Sequence, residues 1–150
     1  MKRFVLIFSA AVAFAACNSN GENKIPDGPL SDSLKLEALK DSSNFTTVAW
    51  VDSTYQDLGD VKKGQTVEIP FVVKNTGDKP LIISNVAPGC GCTVAEKPEK
   101  PILPNNEEKI VAKFNSEHQS EGTHTKTVIV TANTKPFTQH TLTFKVNVVK

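Results

Sequence analysis

From about residue 45 to the C-terminus, apolar and polar residues alternate with a period of two. In "TVEIPFVVK", Val67, Ile69, Phe71 and Val73 fall on one face; in "TLTFKVNVVK", Leu142, Phe144, Val146 and Val148 do so, with Thr141, Thr143, Lys145 and Asn147 opposite. "KIVAKF" sets Ile110, Ala112 and Phe114 inward. A period of two is the mark of a half-buried strand, because successive side chains leave a strand on opposite faces. "TTVAWV", "PLIISNV", "CTVAE" and "TKTVIVTA" supply further strands, and "KKGQ", "NTGDKP", "APG", "KPEKPILPNN", "SEGTH" and "NTKP" are turn signals between them. About seven short strands in about a hundred residues, without a convincing helix, predict an all-β, immunoglobulin-like antiparallel β-sandwich over residues 45–150. Pro70 interrupts an outward-facing position and predicts an edge strand or a bulge there.

The pattern before residue 45 is different. Residues 1–16 combine a positive "MKR" start with an apolar run too short to cross a membrane comfortably. Small residues and a cysteine follow, Phe14-Ala15-Ala16-Cys17, which makes the segment a secretory signal. The Ala-Ala-Cys ending resembles the lipobox of bacterial lipoproteins, although Phe14 stands where Leu is usual. That resemblance implies that Cys17 is lipidated and becomes the first residue, holding the chain on a membrane without a spanning helix. Residues 17–44 are rich in Asn, Ser, Gly, Asp and Pro and read as a flexible tether. Within it, "LKLEALK" suits at most one helical turn, since Leu34, Leu36 and Leu39 do not share a face. "NSNGEN" after Cys17 lacks the Asp associated with inner-membrane retention, so the expected location is the outer membrane.

Charge narrows the functions. With 17 Lys+Arg against 16 Asp+Glu and no basic patch, nucleic acid is not an expected partner. Aromatic residues are sparse; Trp50 and Tyr55 are the candidates for stacking on a base or sugar, and Trp50 in so small a domain suits a core position. No nucleophile elbow, metalloprotease helix, phosphate-binding glycine loop or clustered carboxylate pair is present, so the domain is expected not to be an enzyme. Glu107 and Glu108 alternate at a strand start as solvated charge.

The remaining chemistry lies in "APGCGCT". With Cys17 lipidated, Cys90 and Cys92 are the only thiols, in a compartment that permits disulfides. In an extended strand their Cα atoms would be about 6.5–7 Å apart, at the upper limit for a disulfide, so a bond needs a bend that Gly91 would allow. Three roles stay open. The pair can be a structural staple, a dithiol that exchanges with partners, or two soft ligands for a copper ion. No Lys, Arg or His lies within four residues to depress a thiol pKa, and His118, His124 and His140 show no metal-ligand spacing. No cofactor is expected apart from that copper alternative. "DSL" and "DST" also resemble short acceptor motifs of bacterial O-glycosylation, with Ser33 and Ser53 as acceptors, although three-residue motifs arise by chance.

The order "DLGDVKKGQTVEIPFVVKNTGDKPLIISNVAPGCGCT", "PILPNNEEKIVAKFNS", "GTHTKTVIVTANT" resembles a large bacterial family of exported proteins, many of them lipoproteins. The resemblance rests on Asn75, Thr76, Gly77, Pro80, Leu81, Cys90, Gly91, Cys92 and Thr93 and spans residues 57–150. It implies a fold similar to the Hydin-like and major-sperm-protein-like immunoglobulin folds, and an exported location. It implies no activity. The family usually has Pro-Gly where this chain has Pro104-Asn105, and Asn is expected to adopt the same left-handed backbone. The expected role is a lipid-anchored, non-catalytic interaction or structural module of the cell envelope with a protein partner. The alternative is a thiol-dependent redox or copper-binding protein.

Overall fold

The computed structural model describes residues 28–150. Cys17, the signal segment and the first part of the tether lie outside the described residues. Eight strands form two sheets: β1 (Val48–Trp50), β2 (Tyr55–Lys62), β3 (Thr66–Asn75), β4 (Ile83–Pro88), β5 (Thr93–Glu96), β6 (Glu107–Asn115), β7 (Gly122–Ala132) and β8 (Gln139–Val149). One sheet runs β1-β3-β6-β5 and the other β2-β8-β7-β4. The immunoglobulin-like sandwich expected from the alternation is therefore present, with one strand more. One pairing is not antiparallel: β2 runs parallel to β8, Tyr55 opposite Thr143 and Lys62 opposite Val149. The chain changes sheets between β1 and β2, so β2 arrives at β8 in the same direction.

The alternating apolar residues meet between the sheets. Ile69, Phe71 and Val73 of β3, Ile110, Ala112 and Phe114 of β6, Val128 and Val130 of β7, and Leu142, Phe144, Val146 and Val148 of β8 are all buried. Phe114 and Phe144 cross the layer edge-to-face, ring centres 5.8 Å apart. Each such aromatic removes a large apolar area from water, which is what holds a sandwich together.

Pro70 does not mark an edge strand, because β3 is paired with both β1 and β6 and its register with β6 is unbroken. The reason it is tolerated is local. β1 reaches only to the pair Trp50–Val73, so β3 is uncovered at the level of Pro70. The Pro70 carbonyl accepts a bond from Gln56 Nε2 (2.7 Å), and two residues on the Val72 carbonyl accepts from Val51 N–H (3.0 Å). In an antiparallel strand a residue's N and O face the same way, so Pro70 turns its missing N–H away from β6.

Part of the segment expected as tether is ordered against the domain. Asp32–Ala38 forms a helix, α1, followed by a 3-10 turn at Ser42–Asn44. Leu34 and Leu36 stay exposed, in keeping with their failure to share a face. The inner side is made instead by Leu30, Lys35 and Ala38. Lys35 Nζ reaches Glu99 Oε2 (2.9 Å) and Asp32 Oδ1 (3.5 Å), and the Lys35 hydrogen bond holds the Glu99 carboxyl below its ordinary pKa. Among the described residues no helix is long and apolar enough to cross a membrane.

Asn105 does adopt the left-handed backbone, with φ 67°. Asn105→Gly is expected to keep or slightly raise stability, whereas Asn105→Ala should cost about 1 kcal/mol. Urea unfolding of the two variants checks this, and equal midpoints would refute it.

Candidate functional site

The residues of the Asn-Thr-Gly and Pro-Leu motif converge at one end of the sandwich. β3 ends at Asn75, whose side chain is fully buried. Thr46 Oγ1 and the Gly77 N–H donate to Asn75 Oδ1 (2.8 and 3.2 Å), and Asn75 Nδ2 donates to the carbonyls of Lys79 (2.8 Å) and Ile102 (2.9 Å). One amide therefore ties the strand entry before β1, the β3–β4 turn and the approach to β6, using both of its hydrogens and its oxygen. Thr76 N–H donates to the Thr47 carbonyl (2.9 Å), and its hydroxyl meets that of Thr47 (3.1 Å). Gly77 has no side chain because a Cβ there would collide with the Thr46 hydroxyl and lie 2.8 Å from the Thr47 nitrogen. Leu81 is buried and exchanges backbone bonds with Ile102 (2.9 and 2.8 Å).

A second hub was not anticipated. Asn133, 1% exposed, donates from Nδ2 to the carbonyls of Asn44 (2.7 Å) and Pro80 (3.0 Å) and accepts from Ile82 N–H (2.7 Å). The sequence carried a signal for it. Asn-Thr occurs at 75–76 and again at 133–134, each time at the end of a strand. Beside it, Thr134 donates its single hydroxyl hydrogen to the Phe137 carbonyl (2.6 Å), so His140 Nε2, 2.8 Å from the same oxygen, must be the donor of that pair. His140 also stands edge-on to Trp50, ring centres 5.9 Å apart, and Trp50 packs against the core. Trp50 is thus a packing residue, while Tyr55 is 48% exposed.

Burial pushes the His140 pKa below the ordinary imidazole value. The neutral ring is favoured in the fold, so below about pH 6.5 the unfolded chain takes up a proton that the folded one declines. Stability should fall as pH drops from about 6.5 through the lowered folded pKa. Comparing urea midpoints at pH 7.5 and 5 for wild type and His140→Gln checks this: the variant should lose that part of the drop, and identical profiles would refute it. The carboxyls of Asp41, Asp57 and Glu99, all held below their ordinary values, act only at lower pH.

The Cys-Gly-Cys-Thr segment forms the crossing from β4 in one sheet to β5 in the other. Cys90 and Cys92 are joined by a disulfide, with Cα atoms 5.3 Å apart. The separation is shorter than an extended chain gives because residues 90–93 make a turn, Thr93 N–H donating to the Cys90 carbonyl (3.3 Å). Gly91 supports this turn without a left-handed backbone, and a Cβ there would touch nothing within 4 Å. The bend therefore does not depend on glycine. Gly89 is the constrained residue: its N–H donates to Thr127 O (2.9 Å), and a Cβ would lie 2.9 Å from Thr127 Oγ1. Both sulfurs are partly buried, and the buried Thr93 hydroxyl lies 3.7 Å from Cys90 Sγ and 3.8 Å from Cys92 Sγ.

The other candidates do not gather around the pair. His118 is exposed, and His124 Nε2 bonds the Ser120 carbonyl (2.7 Å). Among the described residues no group of three His, Cys, Asp or Glu side chains is placed to hold a metal ion. Ser33 is exposed on α1 with its hydroxyl 3.0 Å from that of Ser31. Ser53 is exposed before β2 and accepts from Tyr55 N–H (3.0 Å).

An eight-stranded immunoglobulin-like sandwich, closed at one end by buried asparagines and bearing a Cys-Gly-Cys turn between its sheets, defines the class of the domain. The chain belongs to the family described as "Protein of unknown function (DUF1573)", which it matches over residues 48–148. In structure it is similar to a protein of unknown function from Porphyromonas gingivalis W83, with a TM-score of 0.63 and 15% identity, covering 71% of this chain and 49% of that one. It is also similar to the secreted serine protease VesC from Vibrio cholerae, with a TM-score of 0.52 and 12% identity, over 79% of this chain and 25% of that one. The chain thus spans about half of the first protein and a quarter of the second, and at these identities the likeness concerns the fold alone. No curated protein matches the sequence.

Proposed function

We propose that this is an exported protein of the cell envelope, anchored through lipid on Cys17, with the outer membrane as its site and a protein as the partner of its non-catalytic domain. The observation that carries the reading is the use made of the family motif. Asn75, Thr76, Gly77, Pro80 and Leu81 are consumed in backbone hydrogen bonds, close packing and core contacts at one end of the sandwich. The motif therefore accounts for loop architecture, as in binding modules whose rigid sandwich presents its loops. Those loops offer apolar anchors: Phe137, in the β7–β8 loop, is 71% exposed and Leu103, before β6, is 47% exposed. A large apolar side chain held outward on a fixed frame can serve as the anchor that fills a partner's pocket.

The test has two arms. Cells fed labelled palmitate should incorporate it into the wild type and not into Cys17→Ser, and the wild type should sediment with outer-membrane fractions; an unlabelled or soluble wild type would sink the anchoring. A photo-crosslinker at position 137 should yield one discrete protein adduct that survives replacing both Cys90 and Cys92 by Ser. Loss of that adduct in a folded double variant would favour the thiol-dependent alternative.

A further inference from the structure

We infer that the Cys90–Cys92 bond is an exchangeable disulfide that accepts two electrons from a partner's dithiol, with Thr93 positioning the leaving thiolate. This goes beyond the binding role and is independent of it. Three observations carry the inference.

The turn is held without the bond. Gly89 N–H donates to Thr127 O (2.9 Å), Thr93 N–H to Cys90 O (3.3 Å) and Asn115 N–H to Cys92 O (3.0 Å), so both ends of the crossing are pinned by backbone. A disulfide between cysteines only two apart in sequence also removes the least freedom from the unfolded chain. Its worth as a staple is correspondingly small.

The two sulfurs are not equivalent. Both cysteines are half-buried, but Cys92 is among the residues packed against the hydrophobic core and Cys90 is not. A thiolate arriving from outside meets Cys90 first.

Thr93 Oγ1 is buried, and among the described residues its only hydrogen-bond partners are the two sulfurs, 3.7 and 3.8 Å away. A disulfide sulfur is a weak acceptor and a thiolate a strong one, so this hydroxyl is better satisfied once the bond opens. No Lys, Arg or His lies within four residues to do the same work.

The step is then as follows. A partner thiolate attacks Cys90 Sγ; a partner–Cys90 bond forms, the Cys90–Cys92 bond breaks, and the electron pair leaves on Cys92 Sγ, which accepts from the Thr93 hydroxyl. The partner's second thiolate attacks its own sulfur in the mixed disulfide and expels Cys90. The partner ends as a disulfide, and Cys90 and Cys92 end as two thiols carrying the two protons the partner gave up.

The experiment uses the full chain with Cys17→Ser, so that no third thiol competes, and glutathione as the probe. Reduced glutathione at millimolar concentration should open the bond, read by alkylation and intact mass, while circular dichroism and the fluorescence of the single Trp50 stay native. A bond that stays closed, or opens only with unfolding, overturns the inference. Adding Cys92→Ser should let oxidised glutathione leave one adduct, mapped to Cys90; no adduct in the folded variant overturns it. Thr93→Val should slow opening about tenfold, the loss expected for a hydrogen bond to a charged group, and Thr93→Ser should restore it. An unchanged rate in folded Thr93→Val refutes the role given to Thr93. If that variant does not fold, the glutathione titration and the Cys92→Ser adduct decide the matter alone.

Discussion

Asn75→Leu should destabilise the domain by about 4 kcal/mol, although it keeps the forked four-atom side chain. The substitution leaves three groups without their partner, the Thr46 hydroxyl, the Gly77 N–H and the Lys79 carbonyl, and leaves the Ile102 carbonyl only the Leu81 N–H. A buried polar group left unpaired costs about 1–3 kcal/mol, so three of them remove a large part of the stability of a marginal domain. For a domain near a hundred residues this lowers the melting temperature by more than about 15 °C. Asn75→Asp should do no better, because it keeps the acceptor but turns a charge toward two carbonyls. Thermal and urea unfolding of the pair measures both. A loss below about 1 kcal/mol in Asn75→Leu would mean that water or loop movement re-satisfies the orphaned groups, and the hub would lose its meaning.

The second large effect is expected at Gly77. Gly77→Ala usually gains a few tenths of a kcal/mol by restricting the unfolded chain, but here the new Cβ meets the Thr46 side chain and, 2.8 Å away, the Thr47 backbone nitrogen. Overpacking against backbone is not relieved by a rotamer change, so a net cost of about 2–3 kcal/mol is expected. Thr46→Ala removes one obstacle and also one donor to Asn75, leaving the Thr47 contact in place. The double variant should therefore be less unstable than the sum of the two single ones, because the sites share their contacts. Strict additivity in urea midpoints, or a stable Gly77→Ala, would show that the two segments do not press on each other.

The strands were legible because one face of each is buried and the other is wet. Val67 to Val73 and Leu142 to Val148 announce their inward parity, and the core is built from those residues. The parallel pairing of β2 with β8 was not legible, since strand direction depends on where the chain crosses between sheets, far from the residues that pair. The inner side of α1 was hidden for a different reason. Its central buried residue is Lys35, which the carboxylate of Glu99, 64 positions away, makes acceptable there. At the cysteines, alternation suggested an extended segment, while the hydrogen bond from Thr93 to Cys90 folds it into a turn. Asn75 belonged to a recognisable motif, yet its function as a hub did not show, because its partners lie in three separate stretches of chain.

The arrangement of the strap before β1 has a mechanical consequence. Tension arriving from the N-terminal side first loads the contacts of Leu30 and Lys35 with Glu99, and once these yield it enters the domain at Asn44–Thr46. The Asn44 carbonyl is held by Asn133, the Thr46 hydroxyl by Asn75, and Thr46 N–H and carbonyl by Asn133 and Lys135. These bonds reach both sheets, so a pull is shared between the two layers before either begins to peel. Behind the outer strap of α1 the domain is clamped a second time, and the two buried asparagines are the jaws of that clamp.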